Sequence, residues 1–463
     1  LVGSLELADP VPAPRRAASS VCDVLHVPYT YFPDAAGGTE IYVAGLVRAL
    51  RSYGVCGAVA APAPVEAAYD HDDAPVFRFA TDRRDDLAHA YGAPDATAAR
   101  SFGAVLGRLR PRIVHLHART AAVSMGLVDM AHGAGAKTVL TYHTPTVSCV
   151  RGTMLRMGRS PCDGALDRRR CSRCVLAQHG LPPGLRGLVV RTPPALGDAL
   201  ARAGLAGGAF TALRMPALIG AAHRDFRELA RKVDRIVAPC DWVRQVLRRN
   251  GVPEHKLVLC RQGLPAPSEP HPPGPKTAAP PGVLRLGYFG RLDPTKGVDI
   301  LVGALRLVPK SSVRLDVYGV QQPGSEAYAA RLKRAAAGDR RIAFQLALPP
   351  DRVFVAMRRV DLVAVPSRWL ETGPLVVLEA FAAGTPVLGA RRGGVAELVR
   401  DRVDGVLAEP DDPAAWASTI AALAAAPEHV GNLRAGIRPP RRMDDVARDM
   451  SHLYRTLLAD GRS

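Results

Sequence analysis

Apolar positions along this chain follow two alternating rhythms. Short runs rich in β-branched residues are separated by stretches whose apolar residues recur at helical spacing. In the first half the runs are "VCDVLHVP" (21–28), "VCGAVAAP" (55–62), "RIVHLHA" (112–118), "KTVLTYH" (137–143), "RIVAP" (235–239) and "KLVLCRQ" (256–262). Between the first two, Val43, Leu46, Val47 and Leu50 keep the i, i+3, i+4, i+7 spacing of a helix with one buried face. A second series follows: "VLRLGYFG" (283–290), "VRLDVYG" (313–319), "RIAFQL" (341–346), "DLVAVPS" (361–367) and "TPVLGA" (385–390). Strands alternating with helices predict parallel α/β architecture.

The two series are separated by residues 265–282, a stretch with eight prolines in its first 17 residues that reads as a semi-rigid linker. The expected organisation is a flexible leader at 1–20, an acceptor-side Rossmann-like domain at 21–264, and a second Rossmann-like domain at 283–437. Residues 438–463 are expected to form a helix packing back on the first domain. Two doubly wound domains of this kind face each other across a cleft, and the chemistry is expected there.

Composition narrows the classes. Apolar content of 48% with 22% charged residues is that of a globular chain. No run of about 18 apolar residues exists, so no membrane-spanning helix is expected. The first twenty residues lack the charged start and apolar centre of a signal peptide, and a cytoplasmic protein is expected. Net charge is +18, and 54 of the 61 basic residues are arginines. Either compositional bias or attraction to anionic partners explains this. No nucleic-acid motif is present, so phosphorylated small molecules and acidic membrane surfaces are the anionic partners left.

Two segments carry candidate chemistry. In "ETGPLVVLE" (371–379), Glu371 falls in the loop after a buried strand and Glu379 just over a turn into the next helix, with Pro374 in its first turn. Such a loop can bring both carboxylates to one pocket, where they suit sugar hydroxyls, while free N–H groups between them suit a phosphate. A loop glutamate and a solvated helix glutamate fit the pattern equally well. In "GYFGRLDPTKGVDIL" (287–301), a strand ends at Gly290 and is followed by Arg291, Lys296 and Gly297. Two cations there can clamp a diphosphate. Neither a dinucleotide nor a P-loop signature is present.

Together these segments resemble the family 4 glycosyltransferases, retaining enzymes of the GT-B fold. The resemblance spans most of residues 21–460 and also takes in "DAAGGTEIYV", "TYHTP", Gly393-Gly394 and "DGVLAEPDD", which matches the family's usual turn. It implies that Glu371 and Glu379 form the donor-holding Glu-x7-Glu pair, with Glu371 near the sugar and Glu379 on the ribose. It implies that Arg291 and Lys296 grip the nucleotide diphosphate, and that His143 stands beside the donor sugar. Gly37 and Gly38, ahead of a helix that Thr39 caps, are expected to close on the phosphates. Gly290, Gly373 and the amides of Leu375 and Val376 complete the donor contacts. Two departures are visible: Gly373-Pro374 replaces the family's usual Phe-Gly, so which amide meets the diphosphate is open, and Arg261-Gln262 stands where the family often has Pro-Asn before Gly263. His115 and His117 are read as packing, and "DHDD" (70–73), in a loop ahead of a strand, as solvated surface rather than a cation motif.

The expected reaction is retaining transfer of a sugar from a nucleotide diphosphate sugar to a lipid-linked, glycan or small-molecule acceptor, with no cofactor for catalysis. Polysaccharide biosynthesis at the inner face of the membrane, with peripheral attachment, is the setting this implies. The rivals are a nucleotide-sugar epimerase on the same fold and a non-catalytic sugar- or lipid-binding scaffold.

One motif stands apart. Cys149, Cys162, Cys171 and Cys174 fall within 26 residues in the spacing C-x12-C-x8-C-x2-C, while the other four cysteines are scattered. Such clustering points to a structural zinc held by four thiolates, weighed against an iron–sulfur cluster and against free or redox-paired thiols.

Overall fold

A computed structural model describes residues 22–34, 37–82, 87–265, 283–308, 313–322 and 324–460. The leader at 1–20 and, but for Pro265, the linker at 265–282 lie outside the described residues. The chain divides into two compact units. One takes in Leu1–Leu140, Lys232–Asp234 and Ser451–Ser463, and the other Thr141–Arg231 and Arg235–Met450. This division follows packing and does not coincide with the spans 21–264 and 283–437 read from the sequence.

In the first unit the strand order is Lys137–Thr141, Ile113–Leu116, Val24–Val27, Gly57–Ala63, Ala74–Ala80 and Ala67–His71. All pair in parallel except the last two, which form a hairpin. That hairpin corrects the reading of 70–73 as a loop. Asp70 and His71 end a strand, and Asp72 and Asp73 are its two turn residues at φ 50° and 58°. Two positive φ values suit a tight hairpin turn, and aspartate tolerates them. The helix Gly38–Leu50 buries Val43, Leu46, Val47 and Leu50, as its spacing requires. It starts at Gly38 and is not capped by Thr39. The Glu40 carboxylate reaches back to accept the Gly37 N–H at 3.0 Å.

The second unit holds a six-stranded, all-parallel sheet. Its order is Ile342–Gln345, Val313–Val320, Leu284–Arg291, Leu362–Val365, Val387–Ala390 and Gly405–Ala408. Numbered along the chain this order is 3-2-1-4-5-6, the doubly wound arrangement. Successive residues of one strand serve opposite faces: Leu362 joins one buried cluster and Val363 the other. The "DGVLAEPDD" segment, expected to be a turn, contributes the last of these strands. The same unit contains the parallel pair Arg235–Ala238 and Leu257–Leu259. Among the described residues, no helix is long and apolar enough to cross a membrane.

Candidate functional site

In a 3-2-1-4-5-6 sheet the first and fourth strands are neighbours, and their connections leave toward opposite faces. A crevice opens at their carboxyl ends. Here those strands are Leu284–Arg291 and Leu362–Val365. Lys296 lies in the loop after the first and Glu371 in the loop after the second. The fold therefore brings together two residues 75 positions apart: Lys296 Nζ donates to Glu371 Oε1 at 2.7 Å.

The pair is well enclosed. Glu371 is buried and also accepts the Ser367 hydroxyl at 2.8 Å. Burial works against its charge, but Lys296 and these hydrogen bonds outweigh it and hold the carboxyl below its ordinary range. The Lys296 ammonium also sits 5.1 Å from the Trp369 ring centroid.

The backbone around the pair is locked as well. The Glu371 carbonyl accepts from the Trp242 indole at 2.8 Å and from the Gly394 amide at 2.7 Å. A Cβ on Gly394 would stand 2.6 Å from that carbonyl oxygen, so only glycine permits the contact. Gly297, at φ 71°, lies against the Pro366 carbonyl in the same way. Arg368 closes the second loop with a bidentate pair to Asp299 at 2.6 and 2.8 Å.

Glu379 differs in every respect. It is the fifth residue of the helix Leu375–Ala382, half-buried, and its carboxyl has no hydrogen bond or ion pair among the described residues. Burial alone pushes its pKa up to about 6. Leu375 and Val376 stand in the first turn of that helix, whose N–H groups have no intrahelical acceptor. Pro374 is the residue before the helix and not within its first turn. Gly373 packs against the Gln262 side chain.

Arg291 ends its strand next to Gly290, which sits at φ 154°, and donates to Gln322 at 3.1 Å. His143 is buried, and desolvation lowers its pKa to about 3, so the ring is neutral. Its carbonyl accepts the Thr372 hydroxyl at 2.5 Å, which ties it to the Glu371 loop.

The sequence reading missed a supporting network. Glu397 accepts the amides of Asp241 and Trp242 at 2.8 and 2.9 Å, and Arg261 bridges Glu397 and Asp241. Arg261-Gln262 had stood out only as a departure from the family pattern.

In the first unit, Gly37 and Gly38 open the helix that carries Glu40, a fully buried carboxyl whose pKa burial raises. Its Oε1 atom has no partner among the described residues. Also in this unit, His26, His115 and His117 are buried together. Their ligand atoms all lie within 4.8 Å of one another, the one such group among the described residues. His26 Nδ1 is 3.0 Å from His117 Nε2, and His115 Nδ1 is 2.6 Å from the Tyr454 hydroxyl. Desolvation lowers the His26 pKa to about 3, so that ring is neutral, and His117 stacks on both His26 and His115.

The site thus combines a doubly wound sheet, a cation–carboxylate pair at its switch point and a second carboxyl inside the next helix. Comparison with known proteins gives the family. Residues 37–263 match the glycosyl transferase 4-like domain, and residues 275–438 match the glycosyl transferases group 1 domain. The chain belongs to this family, the family 4 glycosyltransferases.

Among curated relatives, the D-inositol 3-phosphate glycosyltransferase of Segniliparus rotundus is 37% identical over 204 residues, 41% of this chain and 45% of that one. The enzyme of the same name from Nocardia farcinica is 34% identical over 211 residues, 42% and 46% of the two chains. The match thus spans about half the length of these relatives. Among solved structures, Anabaena HepE in complex with UDP and glucose is similar at a TM-score of 0.61 and 16% identity, over 94% of this chain and 100% of that one. Sucrose-phosphate synthase from Thermosynechococcus elongatus gives 0.64 and 18%, over 95% and 100%. The shared fold is GT-B.

Proposed function

We propose that this chain transfers a sugar from a nucleotide diphosphate sugar to an acceptor hydroxyl, with retention of the anomeric configuration. The observation that carries this reading is the Lys296–Glu371 pair at the sheet's switch point, with the unpartnered Glu379 carboxyl one helical turn into the following element. Glu379 is suited to the ribose hydroxyls, and the amides of Leu375 and Val376 to the diphosphate. An ammonium has three donors, so Lys296 can face Glu371 and a phosphate oxygen together. As the glycosidic bond breaks, negative charge grows on the departing diphosphate, where Lys296 and Arg291 would stabilise it. A departing phosphate oxygen takes the acceptor proton, and the new bond forms on the face the leaving group vacates. His143, neutral and fixed to the Glu371 loop, would line the sugar pocket.

For the acceptor, the relatives' name points to a polyol phosphate, and a net charge of +18 suits such an anion. A lipid-linked or glycan acceptor at an acidic membrane is the wider setting, and one region supports membrane contact. Between Arg151 and Arg214 there are eleven arginines, three aspartates and no lysine or glutamate. The helices Pro183–Val189 and Pro194–Arg202, and the start of Gly208–Lys232, carry Leu185, Leu188, Leu196 and Phe210 at 51%, 64%, 39% and 41% exposure. Exposed leucines and a phenylalanine among arginines are the composition of a surface that lies on anionic lipid.

The deciding experiment incubates the protein with a panel of nucleotide sugars and acceptors that includes inositol phosphates. Nucleotide diphosphate release that depends on acceptor, with a retained linkage by NMR, is the expected result. A sugar epimerised without acceptor, or no turnover with any donor, would overturn the reading.

A further inference from the structure

The glycosyltransfer reading leaves the cysteine-rich segment unused, and its backbone is hard to account for by packing. Between Gly152 and Gly164, five residues adopt positive φ: Gly152, Met154, Met157, Gly158 and Gly164, at 50° to 75°. Methionine gains nothing from that conformation, which disfavours a side chain with a Cβ by about 1–2 kcal/mol. Regular structure here amounts to Leu155–Arg156 paired with Ser160–Pro161. Of the large apolar residues in the loop, only Met154 and Leu155 are buried. A loop so poor in core needs another hold.

Four thiols are placed to supply it. Cys149, Cys162, Cys171 and Cys174 all line one cavity of about 40 Å³, and all are free and half-buried. Each is set by a separate device. The Cys149 amide donates to the Pro145 carbonyl at 2.8 Å, and the Cys162 amide to the Met154 carbonyl at 2.8 Å. Cys171 and Cys174 are one turn apart on the helix Arg168–Gln178, and so share a face. Cys174 Sγ accepts the Met157 amide at 3.0 Å, the kind of N–H···S contact that steadies a metal-bound thiolate. Arg151 donates to the Cys174 carbonyl at 2.9 Å, and Arg170 is anchored on Asp163 at 2.7 and 3.0 Å. Both arginines line the same cavity, where their charge would offset that of the thiolates.

We propose that these four cysteines bind one zinc ion, which staples the 149–164 loop to the helix Arg168–Gln178. The ion exchanges four S–H bonds for four Zn–S bonds and releases four protons to solvent, with no redox change. No three of the sulfurs lie within 4.8 Å of one another, since the histidine trio is the one such group among the described residues. Zn–S bonds of about 2.3 Å require sulfurs roughly 3.8 Å apart. Binding therefore draws loop and helix together around the cavity.

The test is elemental analysis of the full chain purified without chelator, joined to thiol counting. About one zinc per chain is expected, retained in C56S and lost in C171S/C174S. Four thiols should become reactive when a chelator is added to the wild type. Cobalt(II) in place of zinc should give the charge-transfer and d–d bands of a tetrahedral sulfur site. The wild-type measurements stand even if the double variant fails to fold. A zinc-free protein whose four thiols react at once, two disulfides by mass spectrometry, or stoichiometric iron with acid-labile sulfide would each overturn the zinc site.

Discussion

Lys296 and Glu371 face each other at 2.7 Å across two neighbouring strand ends, one the best enclosed carboxylate of the site and the other its nearest cation. Removing either leaves the other's charge in a dry place. Lys296→Met is expected to destabilise the protein by about 3–5 kcal/mol, as breaking a buried pair does. Adding Glu371→Gln should recover part of that loss, and a double-mutant cycle by thermal melting would show it. Strictly additive losses would mean that the two groups do not depend on each other. Because the folded-state pKa of Glu371 is lowered, its contribution is present above the unfolded value and fades as pH falls through the folded one. The Glu371→Gln variant should lack that part of the acid-side loss.

Glu379 is predicted to give donor binding a pH dependence of its own. With its pKa raised to about 6, the carboxyl is protonated below that pH and ionised above it. Hydroxyl groups bind better to the charged form, so nucleoside diphosphate affinity should rise as pH passes upward through 6. Glu379→Gln should flatten this component and weaken binding at neutral pH by about 1.5–3 kcal/mol. Calorimetry across the range checks it, and identical profiles for the two proteins would remove Glu379 from the ribose.

Gly394→Ala should be more damaging than its size suggests. The added methyl would meet the Glu371 carbonyl oxygen at 2.6 Å, and backbone must move to make room. The expected cost is about 1–3 kcal/mol of stability, with a fall in turnover larger than in donor affinity. Steady-state kinetics beside melting curves would reveal this, and a variant with normal kcat would show that the loop is less rigid than it looks.

On anionic vesicles, the wild type should bind at low salt and detach as ionic strength rises. Leu185→Asp with Leu188→Asp should weaken binding roughly tenfold or more, since each leucine loses about 1.5–3 kcal/mol of burial in lipid. Transfer to a soluble acceptor should be unaffected. Absence of wild-type binding, or binding indifferent to both salt and substitution, would rule out this face.

The strands were legible because burial on both sides writes them as apolar runs. Val24–Val27, Leu362–Val365 and Val387–Ala390 are buried at every position, and each appeared in its expected place. Ala74–Ala80 was expected only as a strand of unstated bounds after 70–73, because Arg78 interrupts its run. That arginine is buried, and donates to the Tyr31 carbonyl at 2.8 Å and to Asp34 at 3.0 Å, partners a sequence does not reveal. The same limit applied at the site. Glu371, Glu379, Lys296 and Arg291 stood out by motif. Glu397, Trp242 and Arg261 hold the Glu371 loop through contacts that span 129 to 156 positions of sequence, and no local pattern announces them.

The manner in which the Glu371 loop is fastened bears on how freely the sequence can drift. Its carbonyl is gripped by Trp242 and Gly394, and the neighbouring turn leans on the Pro366 carbonyl. These contacts are made to main chain, so an insertion or deletion within 366–373 has nowhere to go. At 375 and 376 the useful group is an amide, which any residue but proline supplies. The Val376 side chain still packs against the core, so it is at Gly373-Pro374, where the family usually has Phe-Gly, that this chain departs while the Glu371 carbonyl keeps both of its donors.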